Sequence, residues 1–444
     1  MKSNHVSRRQ FLGVSAAAGA TLAAKTFLLD PTPMFAQTSS RVRFGIIGIG
    51  MRGNSLLGDA IQLPGVECAA ACDLYDGRHA LAKEIAGANL PTTRRYQDLL
   101  DNKDIDCIFA AVPDHWHKQI VIDTLNAGKD VYCEKPMSHS PADGVEMVAA
   151  AQKSGRIVQV GSQRVSSVIC AKAREMIAQG MLGDLMSVEA TLGRNSPSGA
   201  WEYPPPPDLS PENVDWNTWL GSAPKHAFDP LLFARWRCWK EYGTGVGGDL
   251  LVHLMSGFLC MSGFNQAPQR AMAMGGILRW KDGRNMPDVH TVLFEFNGTP
   301  VYMRINLGTE TQEGYRFMGS KGILDVTSKN VTFTPQTGVD NSPSGYAYSF
   351  PKDLRDPYMS KWHAEHDATP GKEPTAESVS YQGPSYDETK PHLWTFFEAV
   401  RTRKPVMEDA VFGHHAALAC HMANESYFRK SAVYWDEGSK SIKS

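Results

Sequence analysis

The chain has 444 residues, enough to bury a substantial core and to divide into two domains. Its 45 basic and 47 acidic residues leave a net charge of −2, and with no basic stripe this argues against a nucleic-acid partner. The eight cysteines, at 68, 72, 107, 133, 170, 238, 260 and 420, form no C-x-x-C pair and read as buried thiols, which excludes a disulfide framework and a zinc knuckle.

The first forty residues read as lying outside the fold. Ser7-Arg8-Arg9-Gln10-Phe11-Leu12 sets an arginine pair before an apolar, alanine-rich run from 11 to 29, with a small-residue cleavage site near Ala36. The segment 1–36 is similar to a twin-arginine export signal, a receptor-read address that would place the mature protein in the periplasm or otherwise outside the inner membrane. Lys25 makes the run a poor permanent membrane anchor, and no other stretch reaches the about 18 apolar residues of a spanning helix, so the mature protein is expected to be soluble. Export of an already folded chain would carry a cofactor loaded in the cytoplasm, which favours tight binding.

From 41 to 165 the pattern predicts a nucleotide-binding Rossmann domain. Apolar strands at 42–47, 66–72, 105–112, 130–133 and 157–161 alternate with helices at 55–63, 77–85, 118–126 and 141–153, the signature of βαβ units and a parallel sheet. A second domain, 166–435, is expected to be α+β. It begins with a helix at 167–179 and continues into a Pro-, Gly- and Trp-rich arm at 193–229, whose Trp201, Trp216 and Trp219 need burial. A helix at 248–260 precedes strand-like runs at 271–277, 290–296, 301–306, 315–318 and 331–333, spaced for an open, mainly antiparallel sheet. The stretch 360–389 reads as an irregular surface excursion. Final helices at 391–401 and 413–427 are expected to pack back on the Rossmann domain, and an open sheet face predicts a homodimer or homotetramer.

Gly48, Gly50 and Gly53, with Met51 and Arg52 between them, follow a strand and open a helix. That context gives a tight turn, close backbone approach to a pyrophosphate and a helix N-terminus to stabilise its charge. Asp73 ends the second strand, where a carboxylate can accept ribose hydroxyls and repel a 2′-phosphate, favouring NAD with NADP as the alternative; Arg52 and Arg78 are the residues able to reverse that preference.

Asp249 and His253 stand four apart in an expected helix, where a carboxylate can orient an imidazole that takes a proton from a hydroxyl; a helix-surface ion pair is the plainer alternative. Gly245, Gly247 and Gly248 before them allow backbone to crowd a ligand. Lys135, in Glu134-Lys135-Pro136, ends a strand and can face the crevice, or else is a solvent lysine in a turn. Pro113, His115 and His117 follow the third strand; a cofactor-side position is more economical for the histidines than a metal site, and no metal is expected. Gln163, Arg164, Arg235, Trp236 and Arg237 are candidates to bind substrate.

Together these residues resemble the glucose–fructose oxidoreductase, inositol dehydrogenase and rhizopine-catabolism family (Gfo/Idh/MocA), over roughly 41–435. The resemblance rests on the glycine turn, Asp73, Pro113-Asp114-His115-Trp116-His117, Glu134-Lys135-Pro136, Asp249-x-x-x-His253, Phe317–Gly322 and Val400–Pro405. It implies a Rossmann domain followed by an open-sheet domain, with the active site between them. It also implies His253 as general base, Asp249 as its partner, Lys135 as the hydroxyl-binding residue, and hydride transfer from a sugar or polyol carbon to nicotinamide. Two alternatives stay open: a glycoside-cleaving enzyme that oxidises its substrate transiently, and a cofactor- or ligand-binding protein without turnover.

Overall fold

The computed structural model describes residues 25–28, 35, 40–336, 345–366, 377–383 and 388–444. The arginine pair and most of the expected signal lie outside them.

After β1 (Lys25–Leu28), the chain builds a six-stranded sheet from β2 (Val42–Ile47), β3 (Val66–Cys72), β4 (Thr92–Thr93), β5 (Cys107–Ala110), β6 (Asp130–Cys133) and β7 (Val158–Val160). The order is β4-β3-β2-β5-β6-β7 and every pair is parallel. All four residues of β5 and of β6 are buried, as expected of parallel strands covered by helices on both faces. Local chemistry sets the helix ends: Ser140 Oγ accepts the Asp143 amide at the start of Pro141–Ser154, and Gly155, at φ 63°, stops it. The strand order reverses between β2 and β5, which opens a crevice at their carboxyl ends.

The second sheet has eleven strands. It contains β8 (Leu185–Gly193), β9 (Arg270–Gly276), β10 (Val289–Phe296), β11 (Thr299–Asn306), β12 (Thr311–Gly319), β13 (Gly322–Thr327), β14 (Asn330–Pro335), β15 (Val379–Gln382), β16 (Val433–Asp436) and β17 (Ser441–Lys443), with β1 at one edge. Its pairs are antiparallel except β8 with β11 and β1 with β15. One face packs on Val168–Ala178, Val252–Ser262 and Ala410–Arg429, whose apolar residues share a core with Val188, Phe294, Met303 and Phe317. Helix Thr389–Thr402 instead lays Leu393, Phe396 and Phe397 on the Rossmann sheet beside Phe44 and Phe109.

Three expectations are corrected. The first forty residues are not wholly outside the fold: Lys25–Leu28 pairs with β15, and the Phe35 ring lies 5.3 Å from Trp394. An edge strand with open main-chain groups accepts any extended neighbour of suitable length. The stretch 360–389 is not irregular throughout, because helix Lys352–His366 runs into it and β15 lies within it. The helix expected at 248–260 begins as a π-turn, Gly247–Leu251, before Val252–Ser262.

Candidate active site

The glycine turn closes the carboxyl end of β2. Gly48 has φ +89°, and a Cβ there would lie 2.4 Å from the Ala111 carbonyl oxygen; one on Gly53 would lie 1.9 Å from that of Gly48. Gly50 differs. Its missing Cβ faces only the Arg78 guanidinium, at 3.5 Å, and it precedes helix Met51–Ala60 without any side-chain cap. The helix amides therefore face an open cavity, the cradle that a pyrophosphate requires.

Asp73 is buried beneath this turn. Its Oδ2 accepts the Ile49 amide at 2.7 Å and its Oδ1 the Tyr75 amide at 3.0 Å, so its first task is to hold the turn against β3. Arg78 reaches the same carboxylate at 3.4 Å. Arg52 turns the other way, onto Glu134 at 2.9 Å.

A cavity of about 400 Å³ runs from the turn into the gap between the domains. Gly50, Met51, Arg52, Pro113, Glu134, Lys135, Gln163, Trp236, Asp249 and His253 all line it, which brings together residues from 50 to 253. Lys135 Nζ donates to Asp249 Oδ1 and to the Asp249 carbonyl oxygen, both at 2.8 Å, and Arg237 Nε donates to Oδ1 at 3.0 Å. Burial drives the Asp249 carboxyl upward, but Lys135 and Arg237 outweigh it and hold the group well below the usual carboxylate range.

Asp249 is thus the partner of Lys135 and Arg237, and it makes no hydrogen bond to His253. The wider π-turn explains why: its spacing departs from the four-residue repeat that would have stacked the two side chains. His253 Nδ1 is buried without a hydrogen-bond partner. Burial, with Lys135 and Arg164 adding positive charge nearby, holds the imidazole well below its ordinary value, so it is neutral at neutral pH.

The glycines before this turn crowd protein, not an open ligand space. A Cβ on Gly247 would meet Asn424 Oδ1 at 2.4 Å, and one on Gly248 would meet Thr244 Oγ1 at 1.8 Å. Thr244 in turn donates its amide and hydroxyl to Asp114 Oδ2 (3.0 and 2.7 Å), joining the end of β5 to the catalytic turn.

Other expected residues lie elsewhere. His115 and His117 do not line the cavity: the His115 ring sits between the carbonyls of Tyr242 and Trp219, and the His117 ring between those of Pro136 and Val112. Arg164 is engaged by Glu313 (2.5 and 2.7 Å) and Glu388 (2.8 Å), and Arg235 by Glu202 and the Tyr203 carbonyl. The Arg164 guanidinium is thus committed to two half-buried carboxylates and has little left for a ligand.

The Trp- and Pro-rich arm belongs to this site, and sequence reasoning named none of its residues as lining it. Arg194, Trp201, Tyr203, Pro204, Pro206, Trp219 and Phe233 all line the cavity. The arm crosses to the Rossmann domain: Asp76 N–H donates to the Asn213 carbonyl, Asp215 N–H to the Leu74 carbonyl, and Tyr75 OH to the Asp208 carboxylate. Trp216 and Trp219 stack at 4.7 Å, and with Tyr75, Phe233 and Tyr242 they form a separate apolar cluster over the end of β3. The unusual density of aromatic residues was the available signal.

Residues 42–162 match the family described as GFO_IDH_MocA, oxidoreductase family, NAD-binding Rossmann fold. The first domain is thus similar to the NAD-binding domain of that family. Inositol 2-dehydrogenase of Salmonella typhimurium (strain LT2) is 32% identical over 149 residues, covering 33% of this chain and 44% of the relative. Glycosyl hydrolase family 109 protein 1 of Shewanella sp. (strain MR-4) is 28% identical over 214 residues, covering 42% and 46%. The alignments thus span less than half of these relatives. The fold extends further: a levoglucosan dehydrogenase in complex with NADH and levoglucosan superposes with TM-score 0.64 at 18% identity over 89% of this chain and 99% of that one. An aldose-aldose oxidoreductase from Caulobacter crescentus superposes with TM-score 0.61 at 16% identity, over 89% and 99%.

Proposed function

We propose that the protein is an NAD(P)-dependent oxidoreductase of a sugar or polyol hydroxyl, with residues 41–165 holding the nucleotide and 166–435 the substrate and the subunit contacts. The observation that carries this is the placing of a neutral His253 and an Asp249-anchored Lys135 in one cavity with the glycine cradle. Of the three N–H groups on the Lys135 ammonium, two go to Asp249, which leaves one for a substrate oxygen. That bond fixes the hydroxyl and stabilises the negative charge growing on its oxygen, while His253 takes the proton. A dinucleotide held at the Gly48–Gly53 turn would supply the hydride acceptor for the same carbon. Gln163 and Trp236 supply further contacts to the substrate. Asp73 favours NAD, since a 2′-phosphate would approach a buried carboxylate. Reduction of NAD with a panel of sugars and polyols tests this reading: no reduction with any of them, by a protein shown to bind NAD, would sink it.

A glycoside-cleaving variant of the same chemistry is the second reading. The longer alignment with the family 109 protein favours it, as does the arm over the cofactor groove, which suits a nucleotide that stays bound through the cycle. Release of aglycone from aryl glycosides without net NADH is its test.

Export by the twin-arginine route rests on Arg8 and Arg9, and fractionation of cells expressing the chain with both replaced by lysine checks it. Among the described residues no helix is long and apolar enough to cross a membrane. Met272, Met274 and Leu293 stand exposed on the uncovered face of the second sheet, and pairing with a second copy there is checked by sedimentation.

A further inference from the structure

The substrate half of the cavity contains one cation that the proposed reaction does not use. Around it, each charge is already committed. Arg52 is paired with Glu134, Arg78 with Asp73, and both Lys135 and Arg237 with the single carboxylate of Asp249. Arg194 also lines the cavity, and among the described residues its guanidinium has no hydrogen-bond or ion-pair partner; only its main-chain amide is engaged, by the Asn306 carbonyl. Its charge reaches into the site, since it lowers the proton affinity of both His253 and Tyr203. Three cations, Lys135, Arg194 and Arg237, therefore face two carboxylates in this half of the cavity, Asp249 and Asp114, and Asp114 is already engaged by Thr244.

The surrounding walls are aromatic. Trp201, Tyr203 and Trp236 line the same space, and the Arg237 guanidinium lies over the Trp236 ring at 4.2 Å. Trp201 holds φ +63°, a left-handed conformation rare for a bulky residue, while only 2% exposed. Trp201 is therefore a fixed back wall, while the half-buried rings of Tyr203 and Trp236 present apolar surface to a sugar ring. Arg194 is exposed at the rim of this space, so a neutral pyranose would meet these faces and leave the guanidinium to solvent, whereas an acid group would reach it.

We infer that the substrate is a carbohydrate carrying a carboxylate, with the ring against Tyr203 and Trp236 and the acid group on Arg194. A guanidinium and a carboxylate form paired, charge-assisted hydrogen bonds, a fit that a hydroxymethyl group does not reproduce. The inference rests on the proposed sugar site but does not depend on turnover. It narrows the substrate to uronates, aldonates or glycosides that bear them.

The test uses the full chain loaded with NAD and two sugar pairs, glucuronate with glucose and galacturonate with galactose. Binding is read from tryptophan fluorescence, and hydride transfer is measured separately. Each acid should bind at least about tenfold more tightly than its neutral partner, the scale expected of a hydrogen-bonded ion pair. Arg194→Ala should erase that discrimination, Arg194→Lys should retain part of it, and circular dichroism checks that both variants fold. Equal binding of acid and neutral sugars, no binding of either, or discrimination that survives in Arg194→Ala would overturn the inference. Acid binding through Arg194 without any hydride transfer would instead remove the proposed reaction and leave the inference standing. Equal oxidation of acids and neutral sugars, with equal affinities, would do the reverse.

Discussion

Lys135 and Asp249, 114 residues apart, are joined twice: the ammonium donates to both the side chain and the main chain of the aspartate. A side chain held at two points keeps its third donor aimed. Lys135→Met should lower kcat/KM by about 10²–10³-fold, the cost of losing one preorganised donor to a developing oxyanion, while NAD remains bound. Steady-state kinetics with equilibrium nucleotide binding would separate that result from simple unfolding.

The same pair governs pH dependence. His253 acts only when neutral, and its low proton affinity keeps it neutral into the acid range. The acid limb of kcat/KM should therefore lie below pH 6.5, the ordinary imidazole value. Lys135→Met removes a neighbouring positive charge, so in that variant the limb should move to higher pH. A limb that stays in place would show that Lys135 does not act on His253.

Gly50 and Gly53 should fail differently. Gly53→Ala drives a Cβ into the Gly48 carbonyl and should disrupt the turn, with lost nucleotide binding and a lower Tm. Gly50→Ala meets only the far end of Arg78, so the fold should persist while NAD affinity falls as the methyl encroaches on the phosphate cradle. Calorimetric unfolding beside NAD titration distinguishes them.

Arg164 was expected to bind substrate, and its pairing with Glu313 and Glu388 predicts another outcome. Arg164→Ala should destabilise the protein by about 1–3 kcal/mol, the cost of losing charge-assisted hydrogen bonds at a half-buried ion pair, read by urea unfolding. A change confined to KM, with stability intact, would restore the earlier assignment.

Buried histidines set the acid limit of the fold. Burial holds His115, His290 and His392 at about 4, against an ordinary 6.5. The unfolded chain takes up those protons first, so stability is complete above pH 6.5 and is lost as pH falls toward 4. Tm should drop by several degrees across that window, and a flat profile would mean that the rings find partners on protonation.

The Rossmann half was legible because its signals are local: a strand ending in glycines, alternating helices, and a lysine fixed by its place at a strand end. Gly48 to Gly53 needed no distant information. The π-turn at 247–251 was not legible, since five residues of helical composition fit either geometry, and with it the identity of Asp249's partners was hidden. Strand β8 shows another limit: Val188, Ala190 and Leu192 alternate inward, yet the surrounding polar residues obscured a strand that is central in the second sheet. Arg164 and Arg235 looked free because their carboxylate partners lie up to 224 residues away in the chain.

The arm from 193 to 229 leaves one domain and is hydrogen-bonded to the other at Leu74 and Asp76. A segment so tethered acts as a guy rope, because hinge opening between the domains would have to break those main-chain bonds first. With the cleft so clamped, exchange of a substrate through its mouth would not require the nucleotide to leave. Under such traffic two successive substrates would share one captive nucleotide, and their double-reciprocal plots would run parallel.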